Sequence, residues 1–255
     1  MIKYIARNLE RALRRRYTLA YMLGIVALCL LANIAVVGFR MIYGTNDGTF
    51  AYNIIDYATW CFVIPYYSCI FIADIVFGKI YPNPRIKDNI TKNLKRTQIY
   101  FSKLISSLIM AIIFLIAAFL ILILTTTVFQ YSDGTMQWWV VEDFLQKMCL
   151  ALPLWLAGIS IANMCLFITK NKKKAFVSFF ILTFLIPRAI MFFAAEPFEW
   201  PVFRTARAYL ITQNFSLLPY PADPERNVLL IVIIGILYMV LANVAGMIAF
   251  NKKKF

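Results

Sequence analysis

Residues 78–103, GKIYPNPRIKDNITKNLKRTQIYFSK, carry seven Lys and Arg against one Asp and lie between two long apolar runs. Ile86, Ile90 and Leu94 recur there at i, i+4 and i+8. A short helix over 85–95 would therefore present an apolar ridge flanked by Lys87, Lys92 and Lys95. Gly78 offers a break after the preceding run, and Pro82 and Pro84 prevent a continuous helix through it. The chemistry of such a surface is association. It has an apolar stripe to bury and cations to meet acidic groups.

Bond-making chemistry has little to work with. Histidine is absent from all 255 residues, which removes His-based triads, HExxH zinc sites and Ser-His dyads. Cys29, Cys61, Cys69, Cys149 and Cys165 lie within or at the edges of apolar runs without metal-ligand spacing, and they read as small packing residues. No GxxxxGK[ST] occurs, so the chain has no P-loop of its own with which to bind ATP.

Polar residues inside the apolar runs form the second group of candidates. Arg188, beside Pro187, falls well inside the fifth run. A cation there must face protein, water or a headgroup. It could pair with Asp56, Glu142 or Asp143, snorkel to the outer leaflet, or meet cargo directly. Tyr66 and Tyr67, after Pro65, put hydroxyls near mid-membrane, either for helix packing or along a path for an amphipathic substrate. Asn163 and Asn243 pose the same choice, with interhelical hydrogen bonding as the structural use. Asp74, near the inner end of its run, is expected to be solvated or paired with a nearby Lys such as Lys79.

Composition defines what must position these residues. The chain is 62% apolar and 15% charged, with mean hydropathy +0.74, the profile of an all-α polytopic membrane protein. Six runs, at about 19–39, 57–77, 104–128, 144–168, 176–195 and 228–250, can each cross roughly 30 Å of hydrocarbon as a helix. The first run has a basic flank like a signal peptide. It is about twenty residues long without a small-x-small cleavage site, so it is expected to remain as a span.

Charge sets the expected orientation. With the N-terminus inside, the cytoplasmic segments 1–18, 78–103, 169–175 and 252–254 hold twenty of the 26 Lys and Arg. Asp47, Asp56, Asp133, Glu142, Asp143, Glu196, Glu199, Asp223 and Glu225 all fall outside. Both termini are therefore predicted to be cytoplasmic. Topology accounts for the net charge of +14 without a nucleic-acid partner, since no zinc, RNP or helix-turn-helix pattern accompanies it.

One membrane domain, 1–255, is expected. In its first 18 residues Ile2, Ile5, Leu9 and Leu13 recur at helical spacing, with Lys3, Arg7, Arg11 and Arg14 on the remaining faces. This predicts an interfacial helix on the inner leaflet, its cations meeting anionic lipid. The outer connection 196–227 carries five prolines and is expected to hold a short helix over 202–215. Phe203, Tyr209, Leu210 and Phe215 would lay that helix against or into the outer membrane surface.

The basic segment resembles a motif in the membrane subunits of bacterial type-two ATP-binding-cassette (ABC) exporters, close to G-x-E-Y-x-x-G-T-I-R-N-K-[LI]-[IV]-x-G-x-x-R-x-x-I-Y-x-x-x-L. Gly78, Tyr81, Ile86, Ile90, Arg96, Ile99, Tyr100 and Leu104 match without a gap, and Lys87 replaces Arg. Ile80, Pro84 and Asn93 stand where the family has Glu, Gly and Gly.

The resemblance implies a six-span permease in a bacterial cytoplasmic membrane that catalyses nothing itself. It also implies a second permease copy or paralogue, and two separate ATPase subunits that bind ATP and Mg. The coupling helix would seat Ile86, Ile90 and Leu94 in a groove of the ATPase. Arg85, Lys87, Lys92, Lys95 and Arg96 would line its basic rim, and Tyr100 would lead into the third span. Without a periplasm-spanning domain, the expected cargo is a peptide, lipid or drug-like amphiphile. A secondary transporter without an ATPase, and a non-transporting sensor, assembly or immunity protein, are the alternatives.

Overall fold

Apolar runs that cannot hydrogen-bond to lipid must satisfy their backbone internally. All regular structure among the described residues is accordingly helical. The computed structural model describes residues 2–43, 50–78, 96–130, 136–169, 171–220 and 227–252. Its helices are α1 (Ile2–Leu13), α2 (Arg16–Tyr43), α3 (Phe50–Trp60), α4 (Val63–Phe77), α5 (Arg96–Phe129), α6 (Trp138–Ile168), α7 (Lys172–Ala194), α8 (Pro201–Ala208), α9 (Ile211–Leu217) and α10 (Val228–Lys252). Five of them, α2, α5, α6, α7 and α10, are long and apolar enough to cross a membrane, and the bent pair α3–α4 makes a sixth if counted as one span.

These crossings alternate in direction. The start of α2, the end of α4, the starts of α5 and α7 and the end of α10 all meet at one end. Arg15 bonds Ile75, Lys103 bonds Val76, Arg96 bonds Asn251 and Lys172 pairs with Asp74. This is the basic end. At the opposite, acidic end, Asp56 of α3 and Asp143 of α6 converge on Lys147.

The centre of the bundle is α6. It is the least apolar of the five long helices yet by far the most buried, whereas α5 is the most apolar and is largely exposed. Hydropathy here follows contact with lipid, which demands apolar surface, more than contact with protein, where small and polar groups pack. The closest neighbour of α6 is α10: a Cβ on Gly235 would lie 2.5 Å from the Cβ and 2.8 Å from the carbonyl oxygen of Pro153. Only glycine permits that crossing.

The predicted second span, 57–77, is not one helix. It is broken at Cys61–Phe62, where α3 and α4 meet at 62°. Pro65 explains the break, because its ring cannot donate to and collides with the carbonyl four residues earlier. The chain tightens there into i−3 bonds, Cys61 to Ala58 and Phe62 to Thr59. Trp155 of α6 donates its indole N–H to the Phe62 carbonyl at 2.8 Å and holds the corner. In α7, a π-helical turn at Ile181–Leu185 precedes Pro187, which similarly lacks a donor.

The connection after α7 forms two short helices instead of one. Phe193, Phe198, Trp200 and Phe203 cluster with ring centroids 5.1–6.1 Å apart and fasten α8 to the end of α7. In α9, Ile211 and Phe215 are buried, Phe215 lying against Tyr66 and Trp155. Of the four residues expected to meet the membrane surface, Leu210 and Phe215 pack into protein. Tyr209 stays exposed and Phe203 joins the aromatic cluster.

Candidate functional site

Of the predicted coupling residues, Arg96 and Tyr100 are described, and both lie at the basic end. Arg85, Ile86, Lys87, Ile90, Lys92, Leu94 and Lys95 lie outside the described residues, as does Lys79. The roots of that segment, at Gly78 and Arg96, are described.

At the first root, the Gly78 N–H bonds the Asp74 carbonyl at 2.8 Å and closes α4 with φ +61°. The backbone conformation disfavours a side chain there, and one would also have to displace the Arg15 guanidinium, whose atoms lie 2.0–2.4 Å from where a Cβ would stand. Arg15 donates to the Ile75 carbonyl. Burial draws its pKa below the ordinary guanidinium value, Asp74 opposing and Arg11 reinforcing the shift. Asp74 pairs with Lys172 at 2.5 Å, so its partner comes from α7. A shallow cleft beside this root is lined by Asp74, Phe77, Gly78, Leu166, Thr169, Asn171 and Lys172.

Lys103 ties three elements together. Its ammonium is buried and donates to Asn8 Oδ1 of α1 and to the Val76 carbonyl of α4, both at 3.0 Å, with the Phe77 ring 5.9 Å away. Asn8 and Ala12 are the buried residues of α1. That gives α1 three faces. Asn8 and Ala12 meet protein, Lys3, Arg7, Arg11 and Arg14 are exposed on a second side, and the exposed Ile2, Ala6 and Leu13 form a third. This division suits a helix lying at a boundary between protein, water and lipid.

At the second root, Arg96 donates to the Asn251 carbonyl of α10 at 2.7 Å. Tyr100 is buried, its ring 4.6 Å from Phe167. Its hydroxyl donates to Asn243 Oδ1 at 3.1 Å, and Asn243 donates in turn to Ser160 Oγ at 3.2 Å. A Cβ on Gly246 would lie 2.6 Å from the Tyr100 oxygen. The start of α5 is thus hydrogen-bonded to both α10 and, through Asn243, α6.

The passage candidates divide. Asn163 is buried, donates to the Ile159 carbonyl at 2.9 Å and accepts from Ser107 at 3.3 Å, an α5–α6 link. Tyr66 is buried against Gly158 and Phe215. Tyr67 is partly exposed and meets Phe184 of α7 edge-on at 5.8 Å. Arg188 is exposed, its guanidinium 5.6 Å from the Phe184 ring centroid.

Sequence reasoning gave Arg188 three possible acidic partners, and among the described residues it pairs with none of them. Asp56 and Asp143 belong to Lys147, at 3.6 and 2.7 Å, a buried cation that sequence reasoning passed over. The Asp143-to-Lys147 spacing of i, i+4 was a usable signal; the third member, Asp56, comes from another helix. The Asn8–Lys103 and Arg15–Gly78 contacts had no local signal. No protein-family model matches this chain, and no curated protein does.

Proposed function

We propose that this chain is the permease subunit of a type-two ABC exporter. In this reading it is a six-span protein of a bacterial cytoplasmic membrane, with both termini in the cytoplasm. It works with a second copy or a paralogue, and with two ATPase subunits that supply ATP and Mg. The basic segment binds the ATPase through Ile86, Ile90 and Leu94 and its rim of cations, and the cargo is hydrophobic or amphipathic.

The observation that carries this reading is the grip on both roots of the segment: Gly78 beneath Arg15, and Arg96 on Asn251. A force applied between them would act on α4 at Gly78 and on α5 and α10 at Arg96. The break at Pro65 gives α4 a hinge, so closure of the ATPase pair would swing α4 against α6 and shift the bundle between two packings.

The test is co-purification of the tagged chain with a P-loop ATPase from its native membrane. Ile90→Glu combined with Lys92→Glu, which leaves the Arg96–Asn251 bond in place, should release that ATPase while the permease stays folded. An intact complex in the double variant would sink the coupling assignment, and a chain that never retains an ATPase would sink the whole reading.

A further inference from the structure

Along α7, Phe176, Phe180, Phe184 and Arg188 follow one another at intervals of four, so they form one stripe. Phe71 and Tyr67 of α4 border it, Phe71 meeting Phe176 at 5.2 Å and Tyr67 meeting Phe184 at 5.8 Å, while Phe180 stacks on Phe184 at 4.8 Å. Phe71 and Phe180 are each 53% exposed. The seam between α4 and α7 is therefore an open aromatic track about 18 Å long at 1.5 Å rise per residue, with a cation at one end.

That cation does not reach toward the end of its helix. Arg188 stands about 9 Å short of the end of α7 at Ala194, and its guanidinium lies over Phe184, one turn further from that end. Helical side chains lean toward the N-terminus, and this one leans away from the Ala194 end of α7. A permanent charge exposed there needs a counter-charge or water.

Among the described residues, Glu196 and Glu199 beyond the end of α7 included, no acid pairs with Arg188. Of the twelve acids in the sequence, the crossing helices carry Asp56, Asp74, Glu142 and Asp143. Asp56 and Asp143 are held by Lys147 and Asp74 by Lys172. Glu142 is exposed in the second turn of α6, nearer the helix end.

We infer that Arg188 and the aromatic track bind the cargo, and that the cargo is an anionic amphiphile whose carboxylate or phosphate meets Arg188 while its apolar chain lies along Phe184, Phe180 and Phe176. This rests on the exporter reading and narrows its cargo class, setting aside neutral and cationic amphiphiles. Tyr67, whose ring meets Phe184 edge-on, adds a phenol to the border of the track.

The test is equilibrium binding of dansyl-undecanoic acid and of its methyl ester to the purified full chain in a neutral maltoside detergent, with no ATPase present. The acid should bind about tenfold or more tighter than the ester, a difference of about 1.4 kcal/mol. Arg188→Gln should abolish that preference and Arg188→Lys should keep most of it. Phe184→Ala should weaken acid and ester alike.

Equal affinity for acid and ester on the unmodified chain overturns the inference without relying on any variant, and it leaves ATPase binding by the same preparation intact. A preference that survives Arg188→Gln also overturns it. A phospholipid seen as a fixed added mass on the intact chain, and not displaced by the acid, overturns it in favour of a resident headgroup.

Discussion

Arg15 occupies the space that any side chain on Gly78 would need: its guanidinium atoms lie 2.0–2.4 Å from the position of a Cβ there. Gly78→Ala must both displace that guanidinium and hold an alanine at φ +61°. With ψ −149° this is the essentially glycine-only region, and the backbone alone costs about 1–3 kcal/mol. Detergent-induced unfolding should show Gly78→Ala destabilised by at least that amount. Arg15→Ala in the same chain should recover the part due to collision and leave the backbone part, so the two changes are non-additive. Strict additivity would show that the contact is not maintained.

The buried Lys103 ammonium has two neutral oxygen acceptors, one of them Asn8 Oδ1. Asn8→Ala removes the link between α1 and α5 and should cost about 1.5–3 kcal/mol, the range for hydrogen bonds to charged groups. Released α1 should be cut faster by trypsin at Lys3, Arg7 and Arg11. Asn8→Asp puts a carboxylate against the ammonium with Arg15 nearby, and should protect α1 at least as well as the native residue. Equal cleavage in all three proteins would mean that α1 is held by other contacts.

The acidic end provides a third test. Lys147 is 5% exposed between Asp56 and Asp143. Neutralising both acids with Asp56→Asn and Asp143→Asn leaves a buried charge without compensation and should cost about 3–5 kcal/mol. Adding Lys147→Met removes that charge and should return much of the loss. Of the single changes, Asp143→Asn breaks the shorter pair, but Asp143 is the more exposed acid at 49% against 31%, so water replaces part of what it loses. Unfolding of the single, double and triple variants by dodecyl sulfate gives the order.

The pattern of what sequence revealed is physical. The runs at 19–39, 104–128, 144–168, 176–195 and 228–250 all fall on long helices, because a crossing helix needs an apolar stretch whatever it packs against. The apolar stripe of α1 was legible through its helical spacing. Its orientation was not: Asn8 faces protein while Ile2 is exposed, and only Lys103, 95 positions away, explains why. Lys103 and Lys147 read as flanking charges because their burial depends on neighbouring helices. The four-residue spacing from Phe176 to Arg188 lay in the sequence, but its border of Tyr67 and Phe71 required knowing that α4 and α7 meet.

Pro65 makes the last prediction, and it concerns motion. Position 65 cannot donate to the Cys61 carbonyl, and α3 and α4 meet there at 62°. An alanine supplies the missing N–H and removes the ring, so Pro65→Ala should let α3 and α4 join. With arms of about 15 and 22 Å, straightening lengthens the span from Ala51 to Phe77 by about 5 Å. All five cysteines are free, so a cysteine-less background is accessible without breaking a bridge. Spin labels at Tyr52 and Phe71 would report the change as a longer mean distance. If α4 is a lever that turns about this corner, the straightened chain should still bind its ATPase yet lose transport, since the contact surface is untouched while the hinge is gone. Unchanged label distances would place the cause of the bend in the Trp155–Phe62 contact instead, which Trp155→Phe would then relax.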